Sequence, residues 1–155
     1  MIALDTNILA RFYVDDPGDQ EAAKQRPIAR QILTERPSLF VPLTVVLELE
    51  WVLRAFYRFR REQIVRVLEH LLGLANVNTE ASERIAAALP LNADGMDFAD
   101  ALQLAASDHC KALYTFDDRR FARRARRLGC KPPVRVPTDE SRPAPNAPEH
   151  DRRDR

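Results

Sequence analysis

Carboxylate side chains that follow short apolar runs are the residues of this sequence best placed to do chemistry. Asp5 comes directly after the run Met1–Leu4, and it opens a helical segment. Asp117 and Asp118 come directly after the run Lys111–Phe116. Both runs are typical of short buried strands, and open α/β sheets gather their ligands at the carboxyl ends of strands. The alternative interpretation is structural, because Asp is also a preferred N-cap of a helix.

Two glutamates lie on a segment with the apolar periodicity of a helix. Glu48 is one turn from both Val45 and Val52, so it borders the apolar stripe of that helix. Glu50 lies roughly 200° further round the helix, beyond the far edge of the stripe. We therefore expect Glu48 rather than Glu50 to face a cleft, although both also fit the flank of an ordinary amphipathic helix.

Asp97 and Asp100 stand three residues apart at the start of a later helix, in the sequence MDFADAL. Asp97 can cap this helix while Asp100 occupies its first turn, where the helix dipole favours a negative charge. Phe98 and Ala101, however, indicate a helix that is packed on most of its sides. A carboxylate on such a helix needs a partner.

These acids are predicted to converge at one edge of the fold. Carboxylates held close together repel one another unless a divalent cation neutralises them. Oxygen ligands without a thiolate cluster favour Mg²⁺ or Mn²⁺ over softer metals. The sequence therefore predicts a magnesium or manganese site.

The elements that must position these acids alternate between strands and helices. This alternation predicts an α/β fold with a mainly parallel sheet. Pro27 predicts a kink or a restart within its helix. The predicted strands are 1–4, 39–41 and 111–116, and the predicted helices are 8–14, 19–36, 44–58, 61–72, 79–89, 97–109 and 118–128.

Composition limits the classes of function. The 24 basic and 23 acidic residues leave a net charge of +1, so no overall field points to a nucleic acid or a membrane. The two cysteines are far apart, the first apolar run is too short for the hydrophobic part of a signal peptide, and no segment is long and apolar enough to span a membrane. We expect a soluble cytoplasmic protein of one domain, 1–137, followed by a disordered tail, 138–155.

The four acidic motifs LDTN, VLELEWVL, DFADAL and TFDDRRF resemble, in order and spacing, those of the PIN-domain family, and most closely its VapC-type toxins. The resemblance extends from Met1 to about Pro137. It implies a three-layer α/β/α sandwich that binds Mg²⁺ or Mn²⁺ and cleaves single-stranded RNA. It implies that the catalytic and metal-binding acids are Asp5, Glu48, Asp100 and Asp117, and that Asn7 and Thr115 support them. Glu50 in place of Glu48, Asp118 in place of Asp117, and Asp97 as an added outer ligand stay open.

In such a nuclease a metal ion neutralises the phosphodiester and activates a water for attack, with Asp5 and Asp100 as the central ligands. The number of metal ions stays open. The resemblance also implies two partners, a small antitoxin protein that holds the toxin inactive and a second copy of the chain in a homodimer.

The segment DRRFARRARRLG after Asp117 provides a basic helix that begins beside the proposed metal site. A basic helix is either a solvated surface or a contact for the phosphates of RNA. The arginines expected to contact RNA are Arg119, Arg120, Arg123 and Arg127.

Two other functions remain as alternatives. A Mg²⁺-dependent phosphatase of the haloacid-dehalogenase type would use Asp5 as a nucleophile, but such proteins usually carry a second Asp where this chain has Asn7. A catalytically inactive PIN-like module would bind RNA or protein through the basic helix. The absence of a Gly-rich phosphate loop and of a catalytic histidine pair argues against nucleotide hydrolysis and against a metal-free ribonuclease.

Overall fold

Five short strands, each parallel to its hydrogen-bonded neighbour, organise residues 1–138, the part of the chain that this computed structural model describes. Three of them form one sheet in the order β1–β2–β3, and two form a second sheet, β4–β5. The register pairs Ile2 with Leu39 and Leu39 with Val77. The strands are β1 (Ile2–Ala3), β2 (Leu39–Val41), β3 (Val77–Thr79), β4 (Leu113–Tyr114) and β5 (Val134–Arg135).

Seven helices connect these strands within residues 1–138. Two short π-helical turns accompany them, Val52–Phe56 at the end of the third helix and Asp118–Ala122 at the start of the seventh. The helices are α1 (Thr6–Tyr13), α2 (Gln20–Glu35), α3 (Leu43–Trp51), α4 (Arg61–Gly73), α5 (Ser82–Ala93), α6 (Phe98–Ala106) and α7 (Arg123–Arg127).

The predicted α/β class is confirmed, and the parallel strands and their helical crossovers are consistent with an α/β/α sandwich. Parallel strands require such crossovers, because the chain must return to the end of the sheet at which the previous strand began before it starts the next one. The strands are divided between two sheets rather than joined in one central sheet. With two residues each, β1 and β4 provide few positions for ladder hydrogen bonds.

The core lies where α1, α3, α5 and α6 meet the strands. Fully buried side chains from each of these elements fill it, including Leu9, Leu39, Leu49, Ile85 and Phe98. Helix α5 packs against α4 and α6, and α1 packs against α2 and α3. The acidic residues singled out above therefore lie on or next to elements that the core holds in place.

The structure corrects several element boundaries. Thr79, expected to begin a helix, ends β3, and neither β3 nor β5 was predicted. The predicted helix 97–109 ends at Ala106, and the predicted strand 111–116 shortens to β4. Helix α2 does not restart at Pro27, because the loss of one backbone donor leaves the surrounding helical hydrogen bonds in place.

Two expectations concern the limits of the chain. The predicted disordered tail, 138–155, lies outside the described residues except for Thr138. Among the helices of residues 1–138, none combines the length and the apolar character needed to cross a lipid bilayer.

Candidate active site

Asp5 stands between β1 and α1, at the N-cap position of the helix. Its backbone is extended, with φ −91° and ψ 163°, yet its side chain caps no helical N–H. The structural role that the sequence allowed is therefore not used. The exposed carboxylate lines a cavity of about 380 Å³ between α1 and α3, here called the α1–α3 cavity.

Glu48 lines the same cavity from α3. The hydroxyl of the buried residue Thr6 donates a hydrogen bond of 2.6 Å to Oε2 of Glu48. This bond joins residues 42 positions apart in the chain and fixes α3 against the start of α1. Thr6 was not predicted as a site residue. The sequence feature that could have indicated it is a hydroxyl side chain directly after Asp5. Asn7, the expected supporting residue, also lines this cavity.

Glu50 differs from its expected position on α3. It is only 7% exposed, whereas Glu48 is exposed, so the expectation that Glu50 lies outside the apolar stripe was wrong. The buried face of α3 extends to Val46 and Leu53, which lie one turn before and one turn after Glu50. Nε of Arg54 donates to Oε1 of Glu50 at 2.8 Å and neutralises it. The hydrogen bond to Glu50 raises the pKa of Arg54.

Asp97 and Asp100 take different roles at the start of α6. Oδ1 of Asp97 accepts a hydrogen bond from the backbone N–H of Ala99 at 3.0 Å, so Asp97 caps the helix. Asp100, one turn later, is half-buried. Burial, followed by the charges of Asp97 and Asp117, raises the pKa of Asp100. The carboxyl of Asp100 is therefore held in an environment that disfavours its charged form.

Asp117 follows β4 and reaches the same region. Oδ1 of Asp117 accepts from the backbone N–H of Arg120 at 2.9 Å, and the hydroxyl of Thr115 accepts from the N–H of Asp117 at 3.0 Å. Thr115 thus supports the position of Asp117. Asp118 instead pairs with Nη2 of Arg126 at 2.7 Å. Asp117, and not Asp118, lines a cavity together with Asp100.

This second cavity, here called the α6 cavity, has a volume of about 270 Å³. Acidic and basic side chains line it in equal number. Within residues 1–138, none of the ion pairs joins these acids to these arginines. The charged residues that line it are Asp97, Asp100, Asp117, Arg61, Arg120 and Arg124.

Arg61 organises the loop that leads into α6. Its Nη1 donates to the backbone carbonyls of Asn92 and Met96, each at 2.7 Å. Nδ2 of the buried Asn92 also donates to the carbonyl of Met96, at 2.9 Å. Arg61 therefore closes the end of α5 and fixes the turn from which Asp97 and Asp100 begin. This role of Arg61 was not predicted from the sequence.

The predicted RNA-binding arginines are distributed unequally. Arg120 lines the α6 cavity. Arg119, Arg123 and Arg127 are exposed on the surface outside it. Arg124, which was not among the predicted contacts, lines the cavity and is half-buried.

The four acids were predicted to converge at one edge, but they line two cavities that share no lining residue, Asp5 with Glu48 in one and Asp100 with Asp117 in the other. In the described part of the chain, no three acidic, histidine or cysteine side chains lie close enough together to hold one metal ion. The donor set still fits Mg²⁺ or Mn²⁺, since it consists of carboxylate oxygens. Mg²⁺ is usually held by one or two carboxylates, with waters and substrate phosphates completing its shell.

Comparison with known proteins bears on the chemistry of these cavities. The sequence model of the PIN domain family matches residues 2–127, which include all four acids. No curated protein matches the chain at a significant level. PIN domains are in general nucleases, and they typically use divalent metal ions.

Proposed function

Because the chain belongs to the PIN domain family, we propose that it is a Mg²⁺- or Mn²⁺-dependent endoribonuclease that cleaves single-stranded RNA, and that it is the toxin of a toxin–antitoxin pair. The observation that carries the proposal is the position of Asp100. This carboxyl is half-buried, shares a cavity with Asp97 and Asp117, and accepts no hydrogen bond from the described residues. A carboxylate in such a place is stabilised by a cation.

The residues around the acids support this assignment. Thr6 holds Glu48 beside Asp5, and Thr115 holds Asp117 beside Asp100. Neither hydroxyl bonds to the carboxylate oxygens of Asp5 or Asp100, which are therefore available as ligands. When bound, a divalent cation supplies charge neutralisation at the phosphate and a more acidic water as the nucleophile. The protein aligns the RNA and keeps the acids in place.

The exposed aromatic residues of the α1–α3 cavity support the proposed partners. Trp51 is 56% exposed and Phe56 is 70% exposed, and both line the cavity that contains Asp5 and Glu48. Large apolar side chains grouped at a surface are typical of protein interfaces. An antitoxin segment bound there would cover the acids, and a homodimer contact elsewhere on the chain completes the assembly that we propose.

The function is tested with labelled single-stranded RNA and the purified chain. We expect cleavage with Mg²⁺ or Mn²⁺ and none with a chelator. Asp100→Asn and Asp5→Asn should each reduce the cleavage rate at least about 100-fold, since each removes a ligand charge. Asp118→Asn is the matched control, because Asp118 pairs with Arg126 outside the cavity.

Three other outcomes would contradict the proposal. RNA binding without cleavage at any metal concentration would indicate an inactive binding module. Release of phosphate from a monoester, without cleavage of RNA, would indicate a phosphatase. If expression of the chain in bacterial cells does not slow growth while the purified chain still cleaves RNA, the toxin role fails and the nuclease assignment stands.

A further inference from the structure

Arg124 occupies a place in the α6 cavity that depends on a glycine. Gly95 has φ +102°, a conformation that L side chains rarely adopt, and a methyl group added to it would overlap the guanidinium of Arg124. Nη1 of Arg124 also approaches the carbonyl oxygen of Asp94, at 3.4 Å. The guanidinium of Arg124 thus packs against the backbone of the loop between α5 and α6, in space that is open because residue 95 is a glycine.

Arg120 and Arg124 come from two parts of the helical segment that starts after Asp117. Arg120 belongs to the π-helical turn and Arg124 to α7, and both line the α6 cavity. Arg119, Arg123 and Arg127 do not line this cavity. Arg120 is exposed like them, whereas Arg124 is half-buried. The structure therefore separates the arginines of this helix into a cavity group and a surface group.

The cavity arginines retain donors for a ligand. Arg61 uses Nη1 on two carbonyls, and the side chain of Arg120 donates to none of the described residues. The guanidinium of Arg124 has one long hydrogen bond and no carboxylate partner. By contrast, Arg54 and Arg126 elsewhere in the chain are paired with Glu50 and Asp118. Because these arginines form no ion pair with the carboxylates of the cavity, they can bind an anionic ligand.

We propose that Arg124, seated on Gly95, and Arg120 form a subsite that binds a backbone phosphate of the RNA next to the phosphate that is cleaved. A guanidinium presents its N–H groups in a planar fork that matches the oxygens of a phosphate. Phosphate contacts set the register of a strand without selecting its sequence. That the phosphate belongs to RNA rests on the proposed function. The subsite places the strand across Asp100 and Asp117.

The test measures binding separately from cleavage. Labelled single-stranded RNA is titrated with the parent chain, Arg124→Gln and Arg66→Gln in the presence of a chelator, at several salt concentrations. Arg124→Gln should weaken binding about ten-fold, because one charged hydrogen-bonding contact is lost. It should also reduce the slope of log affinity against log salt by about 0.7. Arg66→Gln removes the same charge from an exposed position on α4 that lines neither cavity, so it should change neither quantity.

Two further variants keep the test decisive. Arg124→Lys keeps the charge, so it should restore the salt slope but only part of the affinity if the guanidinium fork matters. Gly95→Ala should weaken RNA binding like Arg124→Gln while the net charge is unchanged. Thermal unfolding of each variant separates a lost contact from a lost fold.

The outcomes distinguish the subsite from the nuclease assignment. If Arg124→Gln binds RNA as tightly as Arg66→Gln, while the parent cleaves RNA with Mg²⁺ or Mn²⁺, the subsite alone would be overturned. A parent that binds RNA through Arg124 but does not cleave it would retain the subsite and remove the nuclease. An acidic peptide provides the competing test. If the peptide binds the parent more tightly than RNA does, displaces the RNA, and loses affinity in Arg124→Gln, the site is a protein contact and the proposal is wrong.

Discussion

At the scale of single residues, the carboxylates of the two cavities differ in how much of their hydrogen-bonding capacity the fold already uses. Asp97 and Asp117 accept backbone N–H groups and hold the starts of helical turns. Asp5 stands at a cap position without capping, and Asp100 accepts nothing from the described residues. The first two acids are thus needed for local structure, whereas Asp5 and Asp100 are available for a ligand.

The first prediction concerns the pH dependence of metal binding. Burial and then the charges of Asp97 and Asp117 raise the pKa of Asp100, so a proton competes for its oxygens at a higher pH than for an ordinary aspartate. Mn²⁺ affinity should therefore fall on acidification as the pH passes through this raised pKa. Asp117→Asn removes one of the like charges, so the weaker binding that remains should be lost at a lower pH.

Calorimetric titration of Mn²⁺ across the acid range measures this shift. Asp108→Asn is the control, because Asp108 is exposed just beyond the end of α6 and does not line the cavity. The folded chain disfavours the charged form of Asp100, so its ionisation costs stability above the pKa of the unfolded chain. Asp100→Asn should accordingly unfold at an equal or higher denaturant concentration at neutral pH. If Mn²⁺ binding is lost at the same pH in Asp117→Asn as in the parent, the charge of Asp117 does not affect the pKa of Asp100 and the prediction is wrong.

The second prediction separates the two glutamates of α3. Glu48→Gln should reduce RNA cleavage at least about ten-fold with little change in stability, because the hydroxyl of Thr6 can still donate to the amide oxygen. Glu50→Gln should lower the free energy of unfolding by about 1 kcal/mol, since it removes the buried charge that pairs with the half-exposed Arg54. Its cleavage rate should stay close to that of the parent. Cleavage rates and urea denaturation of both variants measure the contrast, and the reverse ranking would assign Glu50 to the site.

At the scale of elements, the two π-helical turns stand next to the two cavities. Val52 and Phe56 of the first turn line the α1–α3 cavity, and Arg120 and Phe121 of the second line the α6 cavity. Such turns are rare within helices and are frequent at functional sites. Each π-helical turn contains more residues per turn than an α-helix. A side chain beyond it therefore points in another direction than a count of 100° per residue predicts.

The prediction of helices from sequence was accurate for α4, whereas α6 ends three residues earlier than predicted. The strands β3 and β5 were missed, because two or three residues cannot show an alternating pattern. The burial of Glu50 was missed for another reason. An apolar stripe counted from Val45 and Val52 did not include Val46 and Leu53, and only packing shows that this side is also covered. The cavity role of Arg124 depends on Gly95, some 29 residues away in the chain.

A third prediction belongs to the turn between β3 and α5. Ala81 has φ +55°, in the left-handed region that costs an L residue conformational energy. Ala81→Gly should therefore raise the free energy of unfolding by about 1 kcal/mol. Ala86→Gly, at an exposed position inside α5, should lower it by about 1 kcal/mol. Urea denaturation of the two variants measures both effects, and two changes of the same sign would contradict the backbone argument.

At the scale of the whole molecule, the fold extends beyond the family match. The match ends at residue 127, whereas β5 follows it and pairs with β4. Val134 in β5 is only 4% exposed and belongs to the core. The last strand is thus part of the folded unit, and it supports β4, after which Asp117 follows.

The fourth prediction uses two truncations. Removal of 139–155 should leave the cleavage rate and the unfolding transition unchanged, because the described core is complete by Val134. Removal of 133–155 should destabilise the chain by about 2 kcal/mol or more, since it exposes the residues under β5 and removes its hydrogen bonds to β4. Thermal unfolding and cleavage measure both. A loss of cleavage in the shorter truncation would assign the terminal segment a role in the reaction.

The distribution of the acids along the chain has a consequence for the time at which the proposed activity begins. Asp5 and Glu48 are made early, whereas Asp100 and Asp117 come late, and β5 follows them. A chain still being synthesised on the ribosome lacks at least one of the four acids until Asp117 has emerged. We therefore expect no RNA cleavage by nascent chains in which Asp117 and β5 have not yet emerged, so such chains should leave their own messenger RNA intact.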